Sequence, residues 1–160
     1  MFDIFGNMDS AEEINKTAAG LKDEGDIENL RKLAEENGIA LEMADIYAEG
    51  LVDTLTDPMS AAIGKIEIEA AELKPEEIMA DWVEYLKARC MESDEVALAV
   101  RRKDKSLKGC IGKLLKWSNE NMKDVDKDIK KEAGFSGNVK LGIPGMGRAR
   151  KLITEYYMGK

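Results

Sequence analysis

The chain has 160 residues, of which 44% are hydrophobic and 35% are charged, and its formal net charge at pH 7 is −8. This length and composition predict a single globular domain and exclude a disordered segment. Because the sequence contains no histidine, it lacks the commonest general base and metal ligand near neutral pH, and nucleophile pairs that need histidine are excluded. We therefore expect a binding protein and not an enzyme, with no catalytic residue, no metal and no cofactor.

The cysteines and the lack of a long apolar run predict a cytoplasmic protein. Cys90 and Cys110 form neither a disulfide framework nor a zinc-binding pattern. The N-terminal sequence MFDIFGNMDS lacks the basic and apolar regions of a secretory signal, and nowhere do about 18 apolar residues follow one another, as a membrane span requires. In a reducing cytoplasm both thiols stay free, and their apolar neighbours indicate two small core residues.

Residue types that begin helices mark most of the predicted helix starts. Serine and aspartate side chains accept hydrogen bonds from the free amides of a first turn, and proline is favoured at the first helical position. These starts are Ser10, Asp26, Pro58, Pro75, Ser93 and Ser106. Helical apolar spacing adds a third helix with its apolar residues between 44 and 55, a segment with Val125, Ile129 and Ala133 on its inner side, and a last helix over about 146–158.

The fold class that follows is all-α: a compact bundle of seven to eight short amphipathic helices, with at most one short strand near 139–141. We expect one helical domain over 1–160, with acidic N-terminal helices in 1–74, a helical core in 75–133, and a glycine-rich turn and basic C-terminal helix in 134–160. The helix after Ser106 has a predicted inner face of Leu107, Cys110, Ile111, Leu114 and Leu115.

Charge is divided unevenly along the chain. Residues 1–80 carry 20 Asp and Glu against 6 Lys and Arg, a balance of −14, whereas residues 81–160 carry 12 against 18, a balance of +6. Such asymmetry indicates either a strongly charged partner or two solvated faces that attract each other. Carboxylates at helical spacing can imitate the phosphate rows of a duplex and so bind a basic channel. The candidate acidic face consists of Glu12, Glu13, Asp23, Glu24, Asp26, Glu28, Glu35 and Glu36.

A candidate basic patch combines the cationic run between the two tryptophans with the start of the last helix. Lysine and arginine side chains can bind phosphates or an acidic protein surface, and they can equally pair with the acidic half of the same chain. The glycines before the last helix match neither a Walker A loop nor a dinucleotide fingerprint. The patch consists of Arg101, Arg102, Lys103, Lys105, Lys108, Arg148, Arg150 and Lys151.

A spaced pattern of aromatic, apolar and charged residues extends over 82–133. Its members are Trp82, Tyr85, Leu86, Arg89, Asp94, Glu95, Ala97, Lys105, Ser106, Leu107, Cys110, Leu114 and Leu115, with Asp128 and Ile129 as a further pair. The pattern resembles the core of the PcfK-like family, which comprises small proteins of conjugative plasmids, phages and integrated elements. These positions are packing signatures, so the resemblance transfers no site residue to this chain.

The whole chain, from FDIFGNMDSAEEIN through LKGCIGKLLKWS to LGIPGMGRARKLITEYYMG, resembles an anti-CRISPR subgroup of that family. This resemblance implies a non-enzymatic protein that binds the RNA-guided DNA endonuclease of type II CRISPR systems with its guide RNA and blocks target DNA binding or cleavage. Such effectors hold nucleic acid in positively charged channels, to which an acidic chain is attracted.

Two other functions stay open at this point. One is a nucleic-acid-binding accessory protein of a conjugative or integrative element, which would use the basic patch. The other is a non-catalytic assembly protein that pairs through exposed methionine and leucine side chains. We expect no membrane partner, and the oligomeric state is left open.

Overall fold

The computed structural model describes residues 3–159, which form nine helices and one two-stranded antiparallel ladder. The helices are α1 (Ala11–Asp23), α2 (Ile27–Glu36), α3 (Leu41–Ala48), α4 (Pro58–Leu73), α5 (Ile78–Glu92), α6 (Asp94–Arg101), α7 (Leu107–Glu120), α8 (Lys127–Glu132) and α9 (Met146–Met158). The strands are β1 (Lys123–Asp124) and β2 (Lys140–Leu141). Residues 1–2 and 160, the ends of the predicted domain, lie outside the described part.

The predicted all-α class is confirmed, with one more helix than the upper expectation. Strand β2 falls within the predicted 139–141 strand, and it pairs with β1 in the register Lys123 opposite Leu141 and Asp124 opposite Lys140. β1 has no alternating apolar pattern, because both of its residues are charged, so nothing in the sequence predicts it.

Side-chain caps form the helix starts as the sequence predicts. The side chains of Ser10, Asp26, Asp57 and Ser93 each accept a hydrogen bond from a backbone amide in the first turn of α1, α2, α4 and α6. The helix predicted from Pro75 begins three residues later, at Ile78.

The third predicted helix is shorter than its apolar pattern suggested. It ends at Ala48, and Gly50 then adopts a φ of +78°, a left-handed conformation that glycine tolerates and that breaks the helix. Leu55 still reaches the core from the irregular segment that follows, whereas Leu51 is exposed. Both residues fit one helical stripe in the sequence. Because the helix ends before Gly50, only Leu55 becomes buried.

By its internal contacts the chain divides into two compact units, Met1–Lys108 and Gly109–Lys160. In the first unit, α1, α2 and α3 surround an apolar core that includes Ile14, Leu30, Leu33 and Tyr47. Helices α4, α5 and α6 of the same unit pack against one another. The organisation of 1–160 as a single domain stays a prediction.

Within the first unit, the connection after α2 touches α4 backbone against backbone. Gly38 adopts a φ of +66°, and a Cβ atom added to it would collide with the backbone of Gly64. A Cβ atom added to Gly64 would in turn collide with the carbonyl oxygen of Asn37. Two glycines from different elements therefore permit an approach that no other residue pair allows.

In the second unit, most of the buried side chains come from α7 and α9, and they include Cys110, Leu114, Leu152, Ile153 and Tyr157. Two predicted inner faces include residues that the structure exposes, although Leu107, Cys110 and Leu114 are buried as predicted. Leu115 is exposed on α7, and Ile129 on α8 and Ala133 directly after it are exposed as well. Helix α8 has no buried residue. A helical stripe shows which residues share a side of a helix, but another element must cover that side to bury it.

Among the described residues, no helix has both the length and the apolar character needed to cross a membrane.

Candidate functional site

The eight carboxylates of the acidic face belong to α1, α2 and their connection. Glu12 and Glu13 lie in the first turn of α1, and Glu28 lies in the first turn of α2, where the positive end of a helix stabilises negative charge. Asp23 and Glu24 lie at the other end of α1, where no such stabilisation exists. The face therefore combines carboxylates held by local structure with carboxylates that only solvent stabilises.

Four members of the face are open to a partner: Glu12, Asp23, Glu24 and Glu35. All four are exposed, and none of them forms an ion pair with another described residue. A solvated carboxylate that forms no ion pair is available for the long-range attraction of a basic surface.

Three further members already have partners three or four residues away in the sequence. Glu13 accepts a hydrogen bond from the amide four residues back. Asp26 accepts hydrogen bonds from the backbone amide and the side-chain amide of Asn29, which lower the pKa of its carboxyl. Glu28 pairs with Lys32 one helical turn later, at 2.8 Å. These three carboxylates contribute charge to the acidic face, but their side chains are held by contacts near the starts of α1 and α2.

Glu36 is not part of the surface, which corrects the sequence-based prediction. Its side chain is buried, and its two carboxylate oxygens accept hydrogen bonds from the backbone amides of Ile4 at 2.7 Å and Phe5 at 3.0 Å. The carboxylate thus fixes the N-terminal segment against α2. The prediction placed it outside because the adjacent Glu35 and Glu36 look equivalent in sequence.

Arg101 must also be removed from its predicted site, the basic patch. Only 1% of its surface is exposed, and its guanidinium donates hydrogen bonds to the side-chain oxygen of Asn37 and to the carbonyl oxygen of Ala61. Asn37 is itself fully buried and donates to the carbonyl oxygen of Leu33, so it connects the end of α2 to Arg101. The first cation of the run is therefore a core residue.

A second buried cation, which the sequence analysis missed, holds the rest of that run in place. Lys65 of α4 has no exposed surface, and its Nζ, which carries three hydrogens, lies within hydrogen-bonding distance of four backbone carbonyl oxygens. The distances are 3.1 Å to Val100, 3.5 Å to Arg101, 2.6 Å to Arg102 and 2.7 Å to Lys105. The end of α6 and the segment after it are thus folded around one ammonium group.

Burial changes the ionisation of the groups around this cation. It lowers the pKa of Lys65 to about 8 and the pKa of Arg101 to about 10, while the nearby Glu69 carboxylate opposes both shifts. Burial also raises the pKa of Glu69, although this carboxylate accepts a hydrogen bond from the amide of Leu107. The carboxylates of Asp9, Glu13 and Asp104 also raise the pKa of one or both cations, so negative charge surrounds the two buried cations.

The remaining cations of the basic patch are distributed over both units. Arg102 is exposed and pairs with Asp104 at 2.8 Å, and Lys103 and Lys108 are exposed as well. Lys105 is half-buried and, through its carbonyl oxygen, receives the Lys65 ammonium. The run that looked continuous in sequence therefore presents only part of its charge to solvent.

The other three patch residues, Arg148, Arg150 and Lys151, belong to α9 in the second unit, and all are exposed. The guanidinium of Arg148 lies 5.6 Å from the centre of the Trp117 ring, a cation–π distance. An exposed arginine on an aromatic ring is suited to stacking as well as to charge pairing.

Neither thiol has the surroundings of a reactive cysteine. Cys90 and Cys110 are free and buried, and burial raises the pKa of Cys90 to about 12, so its thiol stays protonated at neutral pH. Within residues 3–159, no cluster of histidine, cysteine, aspartate or glutamate side chains is placed to hold a metal ion.

A cleft of about 440 Å³ lies in the first unit beside the start of α4. Its lining is mostly apolar, with polar groups contributed by Thr56, Asp57 and Ser60 among others. Asp57 accepts hydrogen bonds from the amide and hydroxyl of Ser60. The backbone of Thr56 exchanges two hydrogen bonds with the side-chain amide of Asn15, and its hydroxyl donates to the carbonyl oxygen of Asp57. Because these polar groups bond to one another, the cleft assigns no ligand.

No protein-family model, curated protein or solved structure matches the chain.

Proposed function

We propose that this protein inhibits the RNA-guided DNA endonuclease of type II CRISPR systems by binding the effector with its guide RNA, without catalysis of its own. The observation that supports the proposal is the set of exposed, unpaired carboxylates on α1 and α2, namely Glu12, Asp23, Glu24 and Glu35. These side chains would occupy a basic channel built for nucleic acid, and target DNA binding or cleavage would be blocked as a result.

The charge of the first unit supports the same proposal. Residues 1–108 contain 26 Asp and Glu against 13 Lys and Arg, a balance of −13, and two of those cations, Lys65 and Arg101, are buried. A surface with this excess of negative charge speeds association with a positively charged groove, and the attraction weakens as salt increases. The resemblance to the anti-CRISPR subgroup, with its origin in phages and other mobile elements, selects the effector among the basic partners.

The test is DNA cleavage by purified, guide-loaded type II effectors, with and without the protein. One variant reverses Glu12, Asp23, Glu24 and Glu35 to lysine. A matched control reverses four exposed carboxylates elsewhere in the first unit, Glu49, Asp53, Glu72 and Glu76. Both variants change the net charge from −8 to zero, so they separate the position of the charge from its amount.

We expect the unmodified protein to prevent cleavage more strongly at low salt. The α1–α2 variant should need at least about tenfold more protein for the same inhibition, a loss of about 1.4 kcal/mol in binding. The control should lose much less. Equal inhibition by both variants would remove the acidic face from the proposal, and full cleavage by every effector in the presence of the unmodified protein would reject the function.

A second function, that of a nucleic-acid-binding accessory protein of a mobile element, is favoured by one observation. The exposed α9 cations include Arg148, which lies at a cation–π distance from the Trp117 ring, and an arginine–aromatic pair can contact a phosphate and a base together. Retardation of DNA or RNA by the protein alone, lost in an Arg148→Ala variant, would favour this function over inhibition.

A further inference from the structure

Between α7 and α9 the chain forms a structured connecting segment in which no side chain is buried. It comprises residues 122–143, with β1, α8 and β2 in order, and we call it the β1–α8–β2 segment. Every residue in it is exposed or half-buried. An isolated two-stranded ladder has little stability of its own in water, so a segment of this kind needs a covering surface to become stable.

Backbone hydrogen bonds give the segment a defined shape. Beyond the two paired positions of the ladder, the amide of Val125 donates to the carbonyl oxygen of Val139 at 2.9 Å. The end of α8 is closed by two bonds, from Gly134 to Lys131 and from Phe135 to Lys130. This is the pattern in which an apolar residue after the glycine packs back on the last turn of the helix.

The apolar side chains of the segment face solvent despite this order. Ile129 of α8 is 62% exposed, Phe135 is 59% exposed and Leu141 is 65% exposed. Met122 and Ile143 at the two ends are also more than half exposed. Five exposed large apolar side chains within 22 residues are a concentration that single scattered surface residues do not give, and such concentrations mark interaction sites.

The charges of the segment indicate what covers it. It contains five lysines interspersed with four carboxylates, so it is almost neutral although the whole protein carries −8. A nearly neutral segment that exposes both apolar and oppositely charged side chains does not suit nucleic acid or a basic channel. It suits a partner surface that also exposes apolar side chains and charges of both signs. A second copy of the chain provides such a surface, because a two-fold axis places the same segment on both sides of the interface.

We propose that the β1–α8–β2 segment is the interface through which two copies of this chain form a symmetric dimer. The length of the segment agrees with this proposal, because a stable interface takes about 20–30 residues from each side and buries about 800 Å² of each partner. None of its residues belongs to the acidic face, so the dimer is independent of the proposed inhibition and would carry two acidic faces.

Sedimentation equilibrium of the full chain over a wide range of concentrations tests the proposal. We expect a mass of twice 17.7 kDa that changes little between low and high salt, because the interface is apolar. The double variant Ile129→Asp with Leu141→Asp should weaken dimerisation by at least about tenfold, since each copy would bury two charges. Both side chains are largely exposed, so circular dichroism should show an unchanged helical fold.

The matched control is Leu51→Asp, which places a charge on a side chain that is 69% exposed in the first unit. This variant should remain dimeric. A monomeric mass for the unmodified chain at every concentration would overturn the proposal. So would a dimer that survives the double variant, or a dimer that Leu51→Asp dissociates equally well.

Discussion

The ammonium nitrogen of Lys65 lies 2.6 Å from the backbone carbonyl oxygen of Arg102. The two residues come from different elements, since Lys65 belongs to α4 and Arg102 follows the last residue of α6. The last carbonyl groups of a helix have no partner within the helix, and here a lysine from a neighbouring helix satisfies them. The cationic segment 101–105 therefore owes its conformation to a fifth cation that lies beneath it.

Replacement of Lys65 by methionine tests this relationship. Methionine has a similar length and no donor, so the buried carbonyl groups of Val100 and Arg102 would lose their common partner. We expect the free energy of unfolding to fall by about 3 kcal/mol or more, measured by urea denaturation. The control is Lys16→Met, at an exposed position of α1, which should change the free energy of unfolding by less than about 0.5 kcal/mol. A loss no larger than the control's would contradict the structural role.

The stability of the protein should depend on pH through the same lysine. Its pKa is about 8 in the folded protein and near 10.5 when unfolded, so between these values the unfolded chain binds more protons than the folded one. The contribution of Lys65 to stability therefore rises from about pH 8 to about pH 10 and is lost as pH falls through 8, by up to about 3 kcal/mol.

The raised pKa of Cys90 acts in the opposite direction, because an unfolded thiol loses its proton near pH 9 while the buried one keeps it. The measurement is thus the difference in free energy of unfolding between the unmodified protein and Lys65→Met at several pH values. We expect the unmodified protein to gain relative to the variant as pH rises from 8 to 10. A constant difference across that window would count against the prediction.

The backbone contact at Gly64 gives a third prediction. In most helix interiors, alanine is more stable than glycine by about 1 kcal/mol. At Gly64 the added methyl group would strike the carbonyl oxygen of Asn37, which belongs to the backbone and cannot move away without disturbing Arg101. Gly64→Ala should therefore lower the melting temperature, whereas Gly20→Ala in α1, with open space around it, should raise it. Similar shifts for the two variants would disprove the contact.

The adjacent glutamates of α2 allow a direct comparison. Glu36→Gln removes one of the two acceptors for the amides of Ile4 and Phe5, and we expect a loss of about 1 kcal/mol with faster hydrogen exchange at those amides. Glu35→Gln changes an exposed side chain and should leave both quantities as they were. Unaltered exchange in the Glu36 variant would show that the carboxylate does not hold the N-terminal segment.

Local chemistry was enough to predict the helix starts. Ser10, Asp26 and Ser93 cap α1, α2 and α6 because a cap depends only on a side chain and the amides two or three residues away. The sequence predicts, in contrast, that the α3 helix continues to Leu55. A glycine can lie inside a helix or end it in a left-handed conformation, and the sequence alone does not show which conformation Gly50 adopts.

The buried cations could not be predicted from neighbouring residues. Arg101 opens a run of five cations that looks solvated, and its partners Asn37 and Ala61 lie 64 and 40 residues away. The carbonyl partners of Lys65 lie 35 to 40 residues further along the chain. Every residue has a backbone carbonyl group, so the sequence does not show which ones bind a lysine. The prediction of the acidic face is correct where the carboxylates are solvated. It is wrong at Glu36, whose side chain is bound by backbone amides.

The four carbonyl oxygens around the ammonium group of Lys65 form a cage of the type that strips a potassium ion of its water. The occupancy of such a cage by a dissolved ion would depend on the ion concentration of the medium. Here the ion is tethered to α4 by its own side chain, so its local concentration is fixed by a covalent bond. The turn after α6 should therefore keep its shape in potassium-free and low-salt media alike, while the attraction of the surface carboxylates for a partner changes with every change of ionic strength.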